Sequence, residues 1–278
     1  MNRDDPLSPR ERDEYERDLI RFCDHELDLL GDIAGRSVLY AGGTSPLWIE
    51  GLAQRIGPEG SLTVLDADGD GLFAARESFA PDDLPLTPEY VAGDVFSPPF
   101  PVARFDLGYS SGLLHELETS EGEVADALRS LGSLVRAGGF VAASDFVSDV
   151  PAVQVEEERV FAEVARLVTG SRLFGVGGSD RIEGLLRGLF GRHELRVFPP
   201  FPVRHLDKLF LAQPEPEGLG LLEPDDAARL RARWEGLKLR VRTEGYTRPA
   251  TAFVTVFPDS PTAPAGTPPE SGKQSQVL

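Results

Sequence analysis

Two stretches decide the fold: Ser37-Val-Leu-Tyr-Ala-Gly-Gly-Thr-Ser-Pro-Leu-Trp-Ile49 and, shortly after it, Leu62-Thr-Val-Leu-Asp66. In the first, an apolar run meets two glycines, and Ser45 and Pro46 then open a helical pattern. Ser45 suits an N-cap, and Pro46 suits the first helical position, where its missing N–H costs nothing. The helix start therefore aims unpaired amides back over the strand end, a ready site for a carboxylate or phosphate. Glycine at Gly42 and Gly43 lets backbone approach a ligand closely, and a tight strand-to-helix turn is the competing reading. The second stretch ends on Asp66, 24 residues beyond Gly42. That is near the separation of about 20 at which an acid grips ribose hydroxyls. An exposed acid at a strand end is its plainer alternative.

Outward from this unit the chain alternates strand and helix patterns. Helix is expected over 10–30, strand over 37–41, helix over 46–56, strand over 61–66 and a weak helix over 70–79. Strands over 89–93 and 105–110, a helix over 121–136 and a strand over 139–145 follow. This alternation predicts βαβ units and a mostly parallel sheet. Beyond residue 150 helices are expected at 153–169, 179–190 and 224–242. Strands are expected at 193–198 and 251–257, with a proline-rich bend after 198. In the first helix Tyr15, Leu19, Phe22, Glu26 and Leu29–Leu30 stand near helical spacing. Residues 258–278, rich in Pro, Ser, Thr and Gly, are expected to be disordered.

The composition narrows the partners. Residues 1–150 hold 29 acids against 11 bases, whereas residues 151–250 hold 15 against 16. A field that negative repels phosphate backbones and anionic lipid heads, so neither nucleic acid nor membrane is expected as a partner. No stretch approaches the about 20 apolar residues of a membrane helix, and no leader is visible at Met1-Asn-Arg-Asp-Asp-Pro. A cytoplasmic protein is expected. Cys23, the single cysteine, excludes an internal disulfide and reads as a small core hydrophobe.

Further candidate ligand contacts end the later strands. Asp94, in Val91-Ala-Gly-Asp-Val-Phe96, can accept from an exocyclic amine, or can cap the next turn. In Phe105-Asp-Leu-Gly-Tyr-Ser-Ser-Gly-Leu-Leu-His-Glu-Leu117, the small residues Ser110, Ser111 and Gly112 leave room over the sheet's carboxyl edge. His115 can orient a substrate or take a proton, since imidazole titrates near neutrality, and a structural loop histidine is the alternative.

Together these segments resemble the class I S-adenosylmethionine-dependent methyltransferases, in the branch acting on small molecules. The resemblance covers residues 30–146 well and the strands at 193–198 and 251–257 loosely. Val38 to Pro46 is similar to that family's first turn, Leu65-Asp66 to its ribose acid, and Gly93-Asp94-Val95 to its adenine contact. Phe105 to Leu117 is similar to the segment flanking the methyl site, and Leu131 to Ser144, with Arg136-Ala-Gly-Gly-Phe140, to the entry into the fifth strand. The resemblance implies a doubly wound, Rossmann-like α/β fold. Its seven-stranded, mostly parallel sheet has helices on both faces and an antiparallel last strand. It implies S-adenosylmethionine as cofactor, held by Tyr40, Gly42, Gly43, Thr44, Asp66, Ala67, Asp94, Val95, Ser110 and Ser111, with His115 catalytic and no metal. Residues 1–33 would form a helical cap, 34–257 the main domain, and 150–190 a helical cover of the pocket. The expected partners are a small-molecule substrate and, at most, a second copy of the chain in a homodimer.

The sequence departs from the family at Tyr40, where an acid usually helps hold the cofactor's methionine end, and at Thr44 and Pro46, where glycines are usual. Those departures motivate a second reading, a methyltransferase-like protein that binds a ligand or partner without catalysis. A nicotinamide-dependent oxidoreductase is a third, weakened because no tyrosine has a lysine four residues on. For an active enzyme, restoring the pattern with Tyr40→Asp and Thr44→Gly is expected to preserve or improve affinity, provided the buried edge tolerates the charge.

Overall fold

The structure is a computed structural model, and it describes residues 6–80, 82–118 and 121–258. Seven strands form one sheet: β1 Ser37–Ala41, β2 Ser61–Asp66, β3 Glu89–Ala92, β4 Phe105–Ser111, β5 Val135–Val147, β6 Arg192–Phe198 and β7 Ala250–Phe257. Their order across the sheet is β3-β2-β1-β4-β5-β7-β6. β7 runs antiparallel to both β5 and β6, and the pairings from β3 to β5 are parallel. The chain winds outward from β1 to β3 and returns to β4 on the other side of β1. The crevice at this reversal, over the carboxyl ends of β1 and β4, is where such sheets receive ligands.

β1 shows why a central strand reads as a continuous apolar run, because both of its faces are covered. Leu39 and Ala41 face a layer containing α4 (Glu121–Leu134) and α6 (Ser179–Leu189). Val38 and Tyr40 face the layer of α1 (Pro9–Asp28), α2 (Pro46–Ile56) and α3 (Gly69–Glu77). A third apolar cluster lies among α5 (Val153–Thr169), α7 (Leu206–Ala212) and α8 (Pro224–Glu244), centred on the fully buried Trp234.

α1 starts on a capping box, in which the Ser8 hydroxyl accepts from the Glu11 amide and the Glu11 carboxylate accepts from the Ser8 amide. Its far end is pinned to α2 by Arg55, which donates to Asp24 and Asp28 at 3.0 and 2.7 Å. Its middle is pinned to the segment before α7, where Arg204 grips both Asp18 oxygens at 2.7 and 3.0 Å. These anchors fix α1 across the sheet's carboxyl edge.

Most expected elements lie where the pattern put them. The structure adds α7, in the stretch read only as a bend, and begins β5 at Val135 instead of 139. Val135 pairs with Phe105 before an irregularity in the β4–β5 register. Gly139 passes so close to β4 that a Cβ there would lie 2.3 Å from the Asp106 carbonyl oxygen. Among the described residues no helix is long and apolar enough to cross a membrane. The expected disorder of 258–278 falls outside the described residues except at Pro258.

Candidate active site

The turn after β1 is built by Gly42, whose φ of +70° lies in the left-handed region that favours glycine. Its amide donates to the Leu65 carbonyl at 2.9 Å, tying the turn to β2. A Cβ at Gly42 would lie 2.3 Å from Leu113 Cδ1, and one at Gly43 would lie 2.2 Å from the Tyr40 hydroxyl. Packing thus disfavours a side chain at both glycines, and the turn itself calls for glycine at Gly42. Ser45 sits at the N-cap without a side-chain bond, with Pro46 following, so the first amides of α2 stay unpaired. Thr44 is half-buried beside the start of α3.

Tyr40 is placed differently from the expectation. Its side chain, 2 % exposed, is turned into the core, where its ring stacks on that of Tyr109 at 5.7 Å and 21°. A side chain so enclosed is a packing element, and burial pushes its phenol well above the usual range. Val95 likewise joins the core.

Asp66 ends β2, and its Oδ1 accepts from the Asp68 amide at 2.8 Å, which orients the carboxylate. Oδ2 makes no hydrogen bond among the described residues and remains available to a ligand. Ala67 is exposed beside it. Asp94 is exposed beyond β3, where its Oδ1 accepts from the Phe96 amide at 2.9 Å. Each acid therefore caps its own turn with one oxygen and offers the other, so the plainer reading and the binding reading coexist.

At the end of β4 the Ser110 hydroxyl is buried without a partner, and Ser111 donates to Glu26 Oε1 at 3.0 Å. Glu26, from α1, also accepts from the Tyr109 hydroxyl at 3.0 Å and interacts with Ser144. Its carboxyl is 2 % exposed, and burial raises its pKa in spite of those donors. A cavity of about 170 Å³ opens beside it, walled by Phe22, Trp48, Gly112, Asp145, Phe146 and Arg248. Glu26 was legible only as a carboxylate standing in the apolar stripe of the first helix.

His115 lies in a short 3-10 turn, Leu114–Glu116, and is 7 % exposed. Asp145, at the end of β5, accepts from its backbone amide at 3.0 Å and meets its Nδ1 at 2.6 Å. Burial disfavours the imidazolium, but the Asp145 carboxylate outweighs it and pushes the pKa up to about 9. His115 does not line the larger cavity. It lies behind Gly112 and Asp145, in a crevice with Phe146, Phe174 and Gly175 too narrow for water. Its carbonyl also accepts from the Gly175 amide at 2.9 Å, so the dyad ties β5 to the segment that precedes α6.

This geometry has counterparts. Residues 39–143 match the methyltransferase domain family. Over that segment the chain carries a methyltransferase domain. The matched segment begins within β1 and ends in β5, and so contains the glycine turn, Asp66, Asp94 and His115. The fold is similar to that of a cyclopropane-fatty-acyl-phospholipid synthase-like protein from Lactobacillus casei, at TM-score 0.65 and 13% identity over 90% of this chain and 94% of that one. It is similar to a putative sarcosine dimethylglycine methyltransferase from Galdieria sulphuraria, at 0.56 and 12% identity over 87% and 86%. The [4+2]-cyclase SpnF aligns at 0.58 and 13% identity over 92% and 86%. No curated protein matches the sequence.

The methyltransferase domain makes this an enzyme with S-adenosylmethionine as cofactor. The residues present fit that group. The unpaired amides of α2, the free Oδ2 of Asp66 and an orphaned buried oxygen on Glu26 all lie at the carboxyl edge of the central strands.

Proposed function

We propose that the protein transfers a methyl group from S-adenosylmethionine to a small-molecule O, N, S or C nucleophile, in the cytoplasm. The observation that carries the small-molecule part is the enclosed carboxyl edge. α1 crosses it, and the open space beneath is about 170 Å³. A cavity of that size takes part of a small ligand and excludes a folded chain. The negative N-terminal half disfavours nucleic acid as acceptor, and a single buried cysteine suits a reducing compartment.

The bound cofactor supplies an already activated sulfonium methyl, so placement and exclusion of water can carry most of the rate. Gly42, Gly43 and the first amides of α2 hold its polar end, and Asp66 Oδ2 takes a ribose hydroxyl. Asp94 and the buried Ser110 hydroxyl complete the edge around it. His115, proposed from the sequence as the catalytic group, acts in this reading as a positioning residue. Its Nδ1 holds Asp145, and Asp145 walls the cavity. The fold alone does not fix the reaction, as the [4+2]-cyclase shows for its own case.

The test is calorimetry with S-adenosylmethionine, S-adenosylhomocysteine and NAD, followed by S-adenosylhomocysteine release with a panel of small nucleophiles, transfer RNA and a protein mixture. Turnover confined to small nucleophiles is expected. Binding of NAD in preference to either sulfur nucleoside, or turnover only on macromolecules, would overturn the proposal. For Asp66→Asn, which keeps an acceptor for the Asp68 amide but loses the charge, cofactor affinity should fall by about 1–3 kcal/mol. Unchanged affinity with an intact fold removes Asp66 from the site.

A further inference from the structure

We propose that the cavity beneath α1 is a receptor for an α-amino-acid group, with Glu26 taking the ammonium and Arg248 the carboxylate, and that it receives the amino-acid end of the cofactor. This rests on the methyltransferase reading and adds to it two residues outside the matched segment.

The argument is one of unmet bonding demand. Glu26 Oε1 is satisfied by Tyr109 and Ser111, but Oε2 is buried and, although Ser144 lies near the carboxyl, no hydrogen bond is completed to it. A buried carboxylate oxygen left without a donor is costly and rarely kept without reason. Arg248, on the same cavity, makes no hydrogen bond or ion pair among the described residues. Its guanidinium lies 4.3 Å over the Phe22 ring and 5.6 Å from that of Phe146. Burial holds Arg248 below its ordinary pKa, with Glu26 among the groups opposing that shift. The Trp48 indole N–H lines the cavity too and is buried without a partner.

The cavity thus presents one acceptor lacking a donor and two donors lacking an acceptor. A simple amine would satisfy only Glu26, and a simple carboxylate only Arg248 and Trp48. A group carrying both charges on adjacent atoms answers all three.

Position favours the cofactor as its source. Trp48 is the third residue of α2, immediately beyond the glycine turn. Ser111 and Gly112 end β4, which pairs directly with β1. The cavity therefore adjoins the turn and the unpaired amides of α2. Tyr40, packed into the core, presents no carboxylate there, and α1 brings one in from outside the sheet. The pinning of α1 by Arg55 and Arg204 holds Glu26 in register with β4.

The test compares S-adenosylhomocysteine with 5′-methylthioadenosine, which keeps the nucleoside and sulfur but lacks the amino-acid end. Equilibrium binding is measured by calorimetry at pH 7.5 on the wild type, Glu26→Gln and Arg248→Gln. The wild type should bind S-adenosylhomocysteine at least tenfold more tightly than methylthioadenosine. Each substitution should weaken S-adenosylhomocysteine at least tenfold while leaving methylthioadenosine within twofold. Equal affinity of the wild type for both ligands overturns the proposal without recourse to a variant. Equal weakening of both ligands in the variants, or of neither, overturns it as well. Wild-type binding of methylthioadenosine keeps the methyltransferase reading standing in all those cases. Failure of the wild type to bind either nucleoside overturns both.

Discussion

Replacing Tyr40 with aspartate is expected to destabilise the fold by at least about 4 kcal/mol and to lower the melting temperature by about 10 °C. The sequence pattern suggested that this change would restore a family acid and leave cofactor binding equal or better. That expectation carried the proviso that the buried edge tolerates the charge, and the structure bears on this proviso. Tyr40 is fully enclosed between the sheet and the α1–α2 layer, stacked on Tyr109. Truncating a buried aromatic costs about 3–5 kcal/mol by itself. The new carboxylate would be buried near the one on Glu26, whose charge already opposes ionisation at this position. Domains are stable by only about 5–15 kcal/mol, so the loss takes a large share. Tyr40→Phe, which keeps the ring, should remain within about 1 kcal/mol of the wild type. Chemical denaturation of the two variants checks this, and a Tyr40→Asp protein as stable as the wild type would refute the packing role. Thr44→Gly, at a half-buried position, isolates the loop half of the same pattern.

The legible and illegible parts of this protein divide along a physical line. β1, α2 and β2 have the bounds their sequence implies, because buried strands are unbroken apolar runs and Ser45-Pro46 marks a helix start. β5 was harder. Its first residues, Val135 to Gly139, look like a turn, and only the close passage of Gly139 over Asp106 explains their pairing with β4. α7 was missed because a seven-residue helix after a proline-rich segment shows too few turns for a period.

For the candidate site, the residues carried by local motifs were legible: Gly42, Gly43, Asp66, Asp94, Ser110 and Ser111. Those that depend on distant segments meeting were not. Glu26 and Ser111 are 85 positions apart and touch only because α1 lies across the sheet edge. Arg248 precedes the last strand and carries no motif at all. Asp145 reads as an ordinary polar strand end, yet it anchors His115 from 30 positions away. Periodicity locates a side chain on its own element, but not the neighbour it meets.

That anchoring has a consequence for stability, and it is the second large effect expected. His115 titrates near 6.5 as a free side chain and is pushed up to about 9 in the fold by Asp145, with Glu116 and Glu158 adding to the pull and burial opposing it. A group whose folded pKa is raised stabilises the fold fully below its unfolded pKa. That stability is lost as pH rises through the folded value. The contribution should therefore be complete at pH 6, decline between about 6.5 and 9, and be gone above that. At about 1.4 kcal/mol per pH unit of displacement it amounts to about 3 kcal/mol. The stability difference between the wild type and His115→Gln should shrink by that amount between pH 6 and pH 9.5. Asp145→Asn should behave differently. Without the Asp145 carboxylate, burial meets only the weaker pull of Glu158 and Glu116, so the imidazole is no longer held charged and the variant should not lose stability between about pH 6.5 and 9 as the wild type does. Breaking a buried pair costs about 3–5 kcal/mol, so the penalty should be largest at pH 6 and smallest at pH 9.5. Urea denaturation of the three proteins across this range reads both slopes. Parallel curves for wild type and His115→Gln would mean that the imidazole titrates alike in the folded and unfolded chain and that the Asp145 contact adds no charge-dependent stability.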